Sequence, residues 1–170
     1  MLAPSALLKK SAVEKTPVDL GQLIREVLVL VQPELTRHGI VLRTSLPEDL
    51  PLVLGDRIHL QQVVLNLMTN SIEAMRDVAD RRREVRVSTQ RHDVGGVRVA
   101  VEDGGVGFEP ANAERLFQAL YTTKPDGLGM GLSISRSIVE AYGGRLWGTP
   151  NAPHGATFQF VLPGCEGVTP

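Results

Sequence analysis

Gln62, Asn66, Asn70 and Glu73 fall at i, i+4, i+8 and i+11, a spacing that puts all four along one side of a helix. The positions around them carry Val63, Val64, Leu67, Ile72 and Met75. A solvated helix face is normally built from Lys, Glu and Arg, whereas Asn is a weak helix former whose amide competes for backbone hydrogen bonds. The stripe therefore reads either as a plain polar face or as amide oxygens held for a ligand. Neutral oxygens beside a carboxylate suit Mg²⁺, which keeps several waters and shares phosphates with its site. A second group lies in EDGGVGFEP, directly after the strand-like VRVAV. It puts Asp103 at a strand end and lets Gly104, Gly105 and Gly107 form either a simple turn or a close approach to a flat ligand. An acceptor-only carboxylate takes the proton of an exocyclic amine, which separates adenine from guanine.

The third group is TTKPDGLGMGLSIS, with Gly127, Gly129 and Gly131 at period two before a helix beginning near Leu132. Free N–H groups and a positive helix end in such a loop accept a phosphate, and the same glycines also suit a hinge. Lys124 adds a mobile charge for a terminal phosphate, or is simply solvated. The loop lacks the Gly-Lys-Ser/Thr of a Walker sequence and the spacing of a dinucleotide fingerprint.

Local patterns predict the elements that hold these groups. Leu20, Leu23, Ile24, Val27, Leu28 and Val31 recur at helical spacing behind Asp19, a good first-turn cap; Pro33 is expected to kink or restart that helix, and Gly39 to close it. Residues 40–46 and 52–54 read as extended, and Asp56 caps a second helix running to about Asp77. Residues 84–91 and 97–102 alternate and are β-branched, so with HDVGG between them they read as a hairpin. A short helix at 113–118, a helix at 131–142 and strands at 145–148 and 156–162 complete the chain. The basic run Arg81, Arg82 and Arg83 reads as a solvated helix end or a partner contact. Helices and strands intermix without strict alternation, which predicts an α/β two-layer sandwich with a mixed sheet.

The 170 residues suit one domain, here 17–163, with a linker at 1–16 and a tail at 164–170. The longest apolar run, 27–31, is far too short to span a bilayer. Eighteen basic against 19 acidic residues leave a net charge of −1, and only one Trp, two Tyr and four Phe are present, so neither a field nor a stacking platform for nucleic acid exists. The single Cys165 excludes an internal disulfide and a thiolate metal cluster. A cytoplasmic domain without direct membrane contact is expected.

In order, NLMTNSIEAM, DGGVGF, LFQALYTTKPDG and GLGMGLSIS resemble the N box, first glycine box, F box and second glycine box of the histidine-kinase ATP-binding domain. The resemblance spans about residues 17–163 and is strongest toward kinases of nitrogen regulation and oxygen sensing. It implies a Bergerat fold: a mixed sheet of about five strands, three main helices on one face and a mobile lid, here about 122–130. It also implies ATP and Mg²⁺ as ligands. Asn70 is then the metal ligand with Asn66 one turn earlier, and Asp103 is the partner of the adenine amine. Gly105 and Gly107 belong to the first glycine box. Gly127, Gly129 and Gly131 belong to the second, with Leu132 beside them. Glu73 and Lys124 complete the site, and Phe117 resembles the F-box aromatic or is a core anchor of the lid.

Relatives that hydrolyse ATP or phosphorylate serine carry Glu where this chain has Asn66. An amide accepts no proton, so the resemblance implies transfer to an imidazole instead. His38, His59 and His154 lack an acidic neighbour, and His92 precedes Asp93 only at a hairpin, so the acceptor histidine is expected on a separate dimerisation domain, of which residues 7–10 read as an end. The implied partners are that domain and a response regulator in a phosphorelay. A non-catalytic nucleotide-sensing or docking module of the same fold is the alternative.

Overall fold

The central strand β5 (Gly96–Asp103) sets the plan of the sheet: Val97, Val99, Val101 and Asp103 are buried, and Arg98, Ala100 and Glu102 between them are not. One face is therefore covered by helices and the other meets solvent. The computed structural model describes residues 14–121 and 131–165, and within them the sheet order is β2 (Val41–Ser45), β4 (Glu84–His92), β5, β7 (Ala156–Leu162), β6 (Arg145–Pro150). Only β2 and β4 run parallel; the remaining neighbours are antiparallel, so the sheet is mixed. β4 and β5 form the expected hairpin, turned by a 3₁₀ element at Asp93–Gly95. Register places Asp103 opposite Val85 on one side and Ala156 on the other.

Among the described residues three α-helices, α1 (Leu20–Arg37), α2 (Arg57–Met75) and α3 (Gly131–Ala141), supply the second layer. α1 packs on α2 and α2 on α3, while α1 meets β2, α2 meets β5 and α3 meets β6 and β7. Asp19 and Asp56 cap as their types predict: the first accepts from the Gln22 N–H at 3.1 Å, the second from those of Ile58 and His59 at 2.8 and 3.1 Å. Leu23, Ile24, Leu60, Leu67, Met68, Val99 and Phe160 are wholly buried between the layers, each worth about 1.5–3 kcal/mol of burial free energy.

Several local expectations are corrected. Pro33 sits inside α1 rather than restarting it, because it lies on the exposed side while the buried stripe continues through Val31 to Leu35. The carbonyl that loses its partner belongs to Val29, itself exposed, so the missing bond falls on the solvent side of the helix. The 113–118 region makes 3₁₀ turns, Pro110–Asn112 and Arg115–Phe117, not an α-helix. Residues ahead of α1 form β1 (Thr16–Val18), antiparallel to β3 (Val53–Gly55), and Gly164 bridges Val53 on the same small sheet.

The basic run is also not a solvated end. Arg83 donates to the carbonyls of Val78, His38 and Arg76 at 2.8, 2.7 and 3.0 Å, joining the C-terminal ends of α1 and α2. Arg81 turns toward the glycine turn after β5, and only Arg82 is exposed.

Candidate functional site

The alternation of β5 carries an acid to the end of an apolar row, so Asp103 is only 3% exposed on the helix side of the sheet. It borders a cavity of about 560 Å³. One wall is Asn70, Glu73 and Ala74 of α2, with Asp77 just beyond its end; opposite are Val106, Gly107, Phe108 and Glu109 of the glycine turn. Asn112, Leu116 and Tyr121 close a third side, and Leu132, Ala156 and Phe158 supply apolar surface from α3 and β7. Phe108 and Phe158 lie against one another, ring centroids 5.8 Å apart. An apolar pocket with a few carboxylates and amides at its edge suits a flat heteroaromatic ring attached to something polar.

The turn leaving β5 is tightly held. Gly105 N–H donates to Asp103 Oδ1 at 2.9 Å, Gly104 N–H to the Glu84 carbonyl at 3.2 Å and Val106 N–H to the Ala74 carbonyl at 3.1 Å. A Cβ on Gly105 would stand 2.6 Å from the Ala74 carbonyl oxygen, and one on Gly107, at φ +69°, 2.7 Å from that of Gly155. These two glycines make room for the chain's own backbone, Gly105 letting the turn close on α2 and Gly107 letting it close on the connection between β6 and β7.

The polar stripe of α2 divides. Asn70 and Glu73 line the cavity, but Asn66 does not. Its Nδ2 donates to the Gly131 carbonyl at 3.1 Å and to Ser135 Oγ at 3.0 Å, and its Oδ1 accepts from Gln62 Nε2 at 2.7 Å. Gly131 begins α3 and Leu132 reaches the cavity. Lys124, Gly127 and Gly129, and with them the expected lid at 122–130, lie outside the described residues.

Phe117 is buried and meets Phe158 edge to face, with centroids 6.2 Å apart. The Arg136 guanidinium lies 3.8 Å over the Phe117 ring and donates to both oxygens of Glu114, at 3.0 and 3.3 Å. Hydrogen bonding to Arg136, then its charge, holds the Glu114 carboxyl below the usual carboxylate range. Phe117 is thus an anchor for the segment that carries Leu116 and Tyr121.

Asp77, Asn112, Phe108 and Phe158 are lining residues that motif spacing did not single out. Asp77 had a signal, four residues after Glu73 on the same line, and Phe158 had another, the inward alternation of β7. Asn112 had none, because it arrives on a 3₁₀ turn.

Residues 55–165 match the family of histidine kinase-, DNA gyrase B- and HSP90-like ATPases. The sensor protein FixL of Bradyrhizobium diazoefficiens is 43% identical over 153 residues, 90% of this chain but 30% of FixL. The catalytic domain of histidine kinase ThkA superposes with a TM-score of 0.78 at 34% identity, covering 89% of this chain and 96% of that one. Full-length ShkA in complex with AMPPNP gives 0.79 at 31% identity, over 90% of this chain and 32% of that one. ThkA in complex with the response regulator TrrA gives 0.76 at 31% identity, over 95% and 46%. The chain spans less than a third of the sensor proteins FixL and TdiS. No described helix is long and apolar enough to cross a membrane.

Proposed function

The chain belongs to the histidine kinase-, DNA gyrase B- and HSP90-like ATPase family, and from that premise we propose that it positions Mg·ATP for γ-phosphoryl transfer to a histidine on a separate dimerisation domain of a two-component sensor kinase. The observation that carries this reading is Asp103, buried at the end of an apolar strand row and facing a cavity whose other wall presents Asn70 and Glu73. Asp103 accepts from the adenine amine, while Phe108, Leu132, Ala156 and Phe158 exclude water from the ring. The unit at 17–163 is part of the same proposal, with Thr16 and Gly164 joined to its ends through the small sheet.

The residues present fit the metal as well. Among the described residues no three His, Cys, Asp or Glu side chains gather to hold an ion alone. A cation here would take Asn70 from the protein and its remaining ligands from phosphate and water, the usual habit of Mg²⁺. When bound it neutralises charge developing on the phosphates. Glu73 lies one turn along α2 from Asn70 and lines the same side of the cavity. Gly127, Gly129, Gly131 and Lys124 are assigned to the phosphates by their place in the second glycine box.

Asn66 favours transfer over hydrolysis. An amide accepts no proton, and this one is engaged with α3, so attacking water has no base at that position. The acceptor domain's own acidic neighbour takes the imidazole proton instead. The ThkA complex with TrrA supports a response regulator as the downstream partner. A cytoplasmic location follows from the same reading.

The test is phosphate release from ATP by the chain alone, set beside radiolabel transfer to a dimeric helical domain bearing a His-Glu pair. Negligible release with transfer to the histidine is expected. Brisk, acceptor-independent hydrolysis blocked by Asn70→Ala makes it an ATPase; tight ATP binding with no transfer to any acceptor makes it a sensing module.

A further inference from the structure

Arg81 lies on the connection between α2 and β4, with its side chain 24% exposed. Its Nε donates to the Gly104 carbonyl at 3.0 Å and its Nη2 to the Gly105 carbonyl at 2.8 Å, while Nη1 pairs with the exposed Asp80 at 2.9 Å. The two carbonyls belong to successive peptides of the turn beneath the cavity. The first of those peptides has the Gly105 N–H at its other end, and that N–H donates to Asp103 Oδ1 at 2.9 Å. The second ends in the Val106 N–H, which donates to the Ala74 carbonyl at 3.1 Å.

We propose that Arg81 is a positioning residue for base selection, acting through the Gly104–Gly105 peptide to fix the Asp103 carboxylate against the adenine amine. This inference rests on the assignment of Asp103 made above. A planar guanidinium is suited to the task because its fork grips two carbonyls in one fixed geometry, where an ammonium grips as a point. Its charge polarises the peptide it holds, so the N–H at the far end becomes a stronger donor to the carboxylate. Two glycines in a row have no side chains to restrict their dihedral angles, and the turn takes its orientation from outside. Arg81, which does not line the cavity, supplies it together with the Glu84 and Ala74 carbonyls, and it acts without touching the ligand.

The experiment uses the full chain and two nucleotides, ATP and purine riboside triphosphate, which lacks only the 6-amino group. Binding of each is measured by calorimetry for the wild type, Arg81→Ala, Arg81→Lys and Asp103→Asn, with thermal melting recorded beside it. Wild type is expected to prefer ATP by about ten- to a hundredfold, the range for a hydrogen bond to a charged group. Arg81→Ala should reduce that preference to under about threefold, chiefly by weakening ATP and not the analogue, with Arg81→Lys between the two. A merely structural arginine would weaken both nucleotides by one factor and leave the preference intact, and that result overturns the inference even if melting falls. If Arg81→Ala does not fold, Arg81→Lys carries the same comparison: a preference equal to wild type overturns the inference. Preference abolished by Asp103→Asn but untouched at position 81 overturns this inference alone, whereas a wild type without preference overturns the Asp103 assignment as well.

Discussion

Asn66 of α2 reaches Ser135 of α3, its amide Nδ2 donating to the serine hydroxyl at 3.0 Å and to the Gly131 carbonyl at 3.1 Å. Ser135 is fully buried and Asn66 partly so, and the contact ties the start of α3 to the middle of α2. Asn66→Ala removes both bonds to α3, with the one from Gln62, and leaves a buried hydroxyl short of its donor, at a cost of roughly 1–3 kcal/mol. For a domain of this size that lowers the melting temperature by about 2–4 °C per kcal/mol. An unchanged melt would mean that the α2–α3 tie carries no stability.

Asp103→Ala should weaken ATP by about ten- to a hundredfold, because a charged hydrogen bond contributes about 1.5–3 kcal/mol. Calorimetric titration of the variant measures this directly. Equal affinity of the wild type for ATP and GTP would remove Asp103 from the recognition of the base.

Asn70 lines the cavity, and in the proposed reading it is the protein's ligand to the metal and not a contact of the base. In Asn70→Ala, phosphotransfer to the acceptor domain should be lost, while binding of adenosine itself is kept. Transfer at the wild-type rate by this variant would remove Asn70 from the metal site.

Gly105→Ala should destabilise the chain by about 1–3 kcal/mol, the usual range for overpacking, since its Cβ would meet the Ala74 carbonyl oxygen at 2.6 Å. The atoms it meets are the carbonyl and Cβ of Ala74, none of which is the far end of a flexible side chain. Chemical denaturation of the variant checks it, and a ligand-side role alone would leave stability untouched.

Glu114 has a carboxyl held below its ordinary range by Arg136, so its contribution to stability is complete at neutral pH and is lost as pH falls through the lowered folded value. The wild type should therefore lose melting temperature on acidification below about pH 4 more steeply than Glu114→Gln. Parallel acid titrations of the two proteins would show it, and identical slopes would count against the pairing.

Periodicity alone settled what depends on neighbours along the chain. The period of two in VRVAVED commits Asp103 to the same face as Val97, Val99 and Val101, so a buried acid at a strand end was readable before any fold was known. Asp19 and Asp56 cap because a short acceptor before an apolar helical run has no better use. The glycine-rich turns, the hairpin and the stripe from Gln62 to Glu73 were legible for the same reason.

Partners far along the chain were not. Asn66 and Asn70 are the same residue type on the same stripe, yet Asn66 meets a helix that begins 65 residues later and Asn70 meets the cavity. Only the seating of α3 separates them. Arg81 and Arg83 look alike in sequence, but their carbonyl acceptors come from the glycine turn and from the ends of two helices, and a guanidinium's partner is set by which backbone packing brings within 3 Å. Likewise β1 exists because β3 offers it an edge, and Pro33 is tolerated because α1 turns that position to water. Local pattern decides which face a residue takes; tertiary packing decides what it finds there, because only the folded chain can supply acceptors and edges from distant segments.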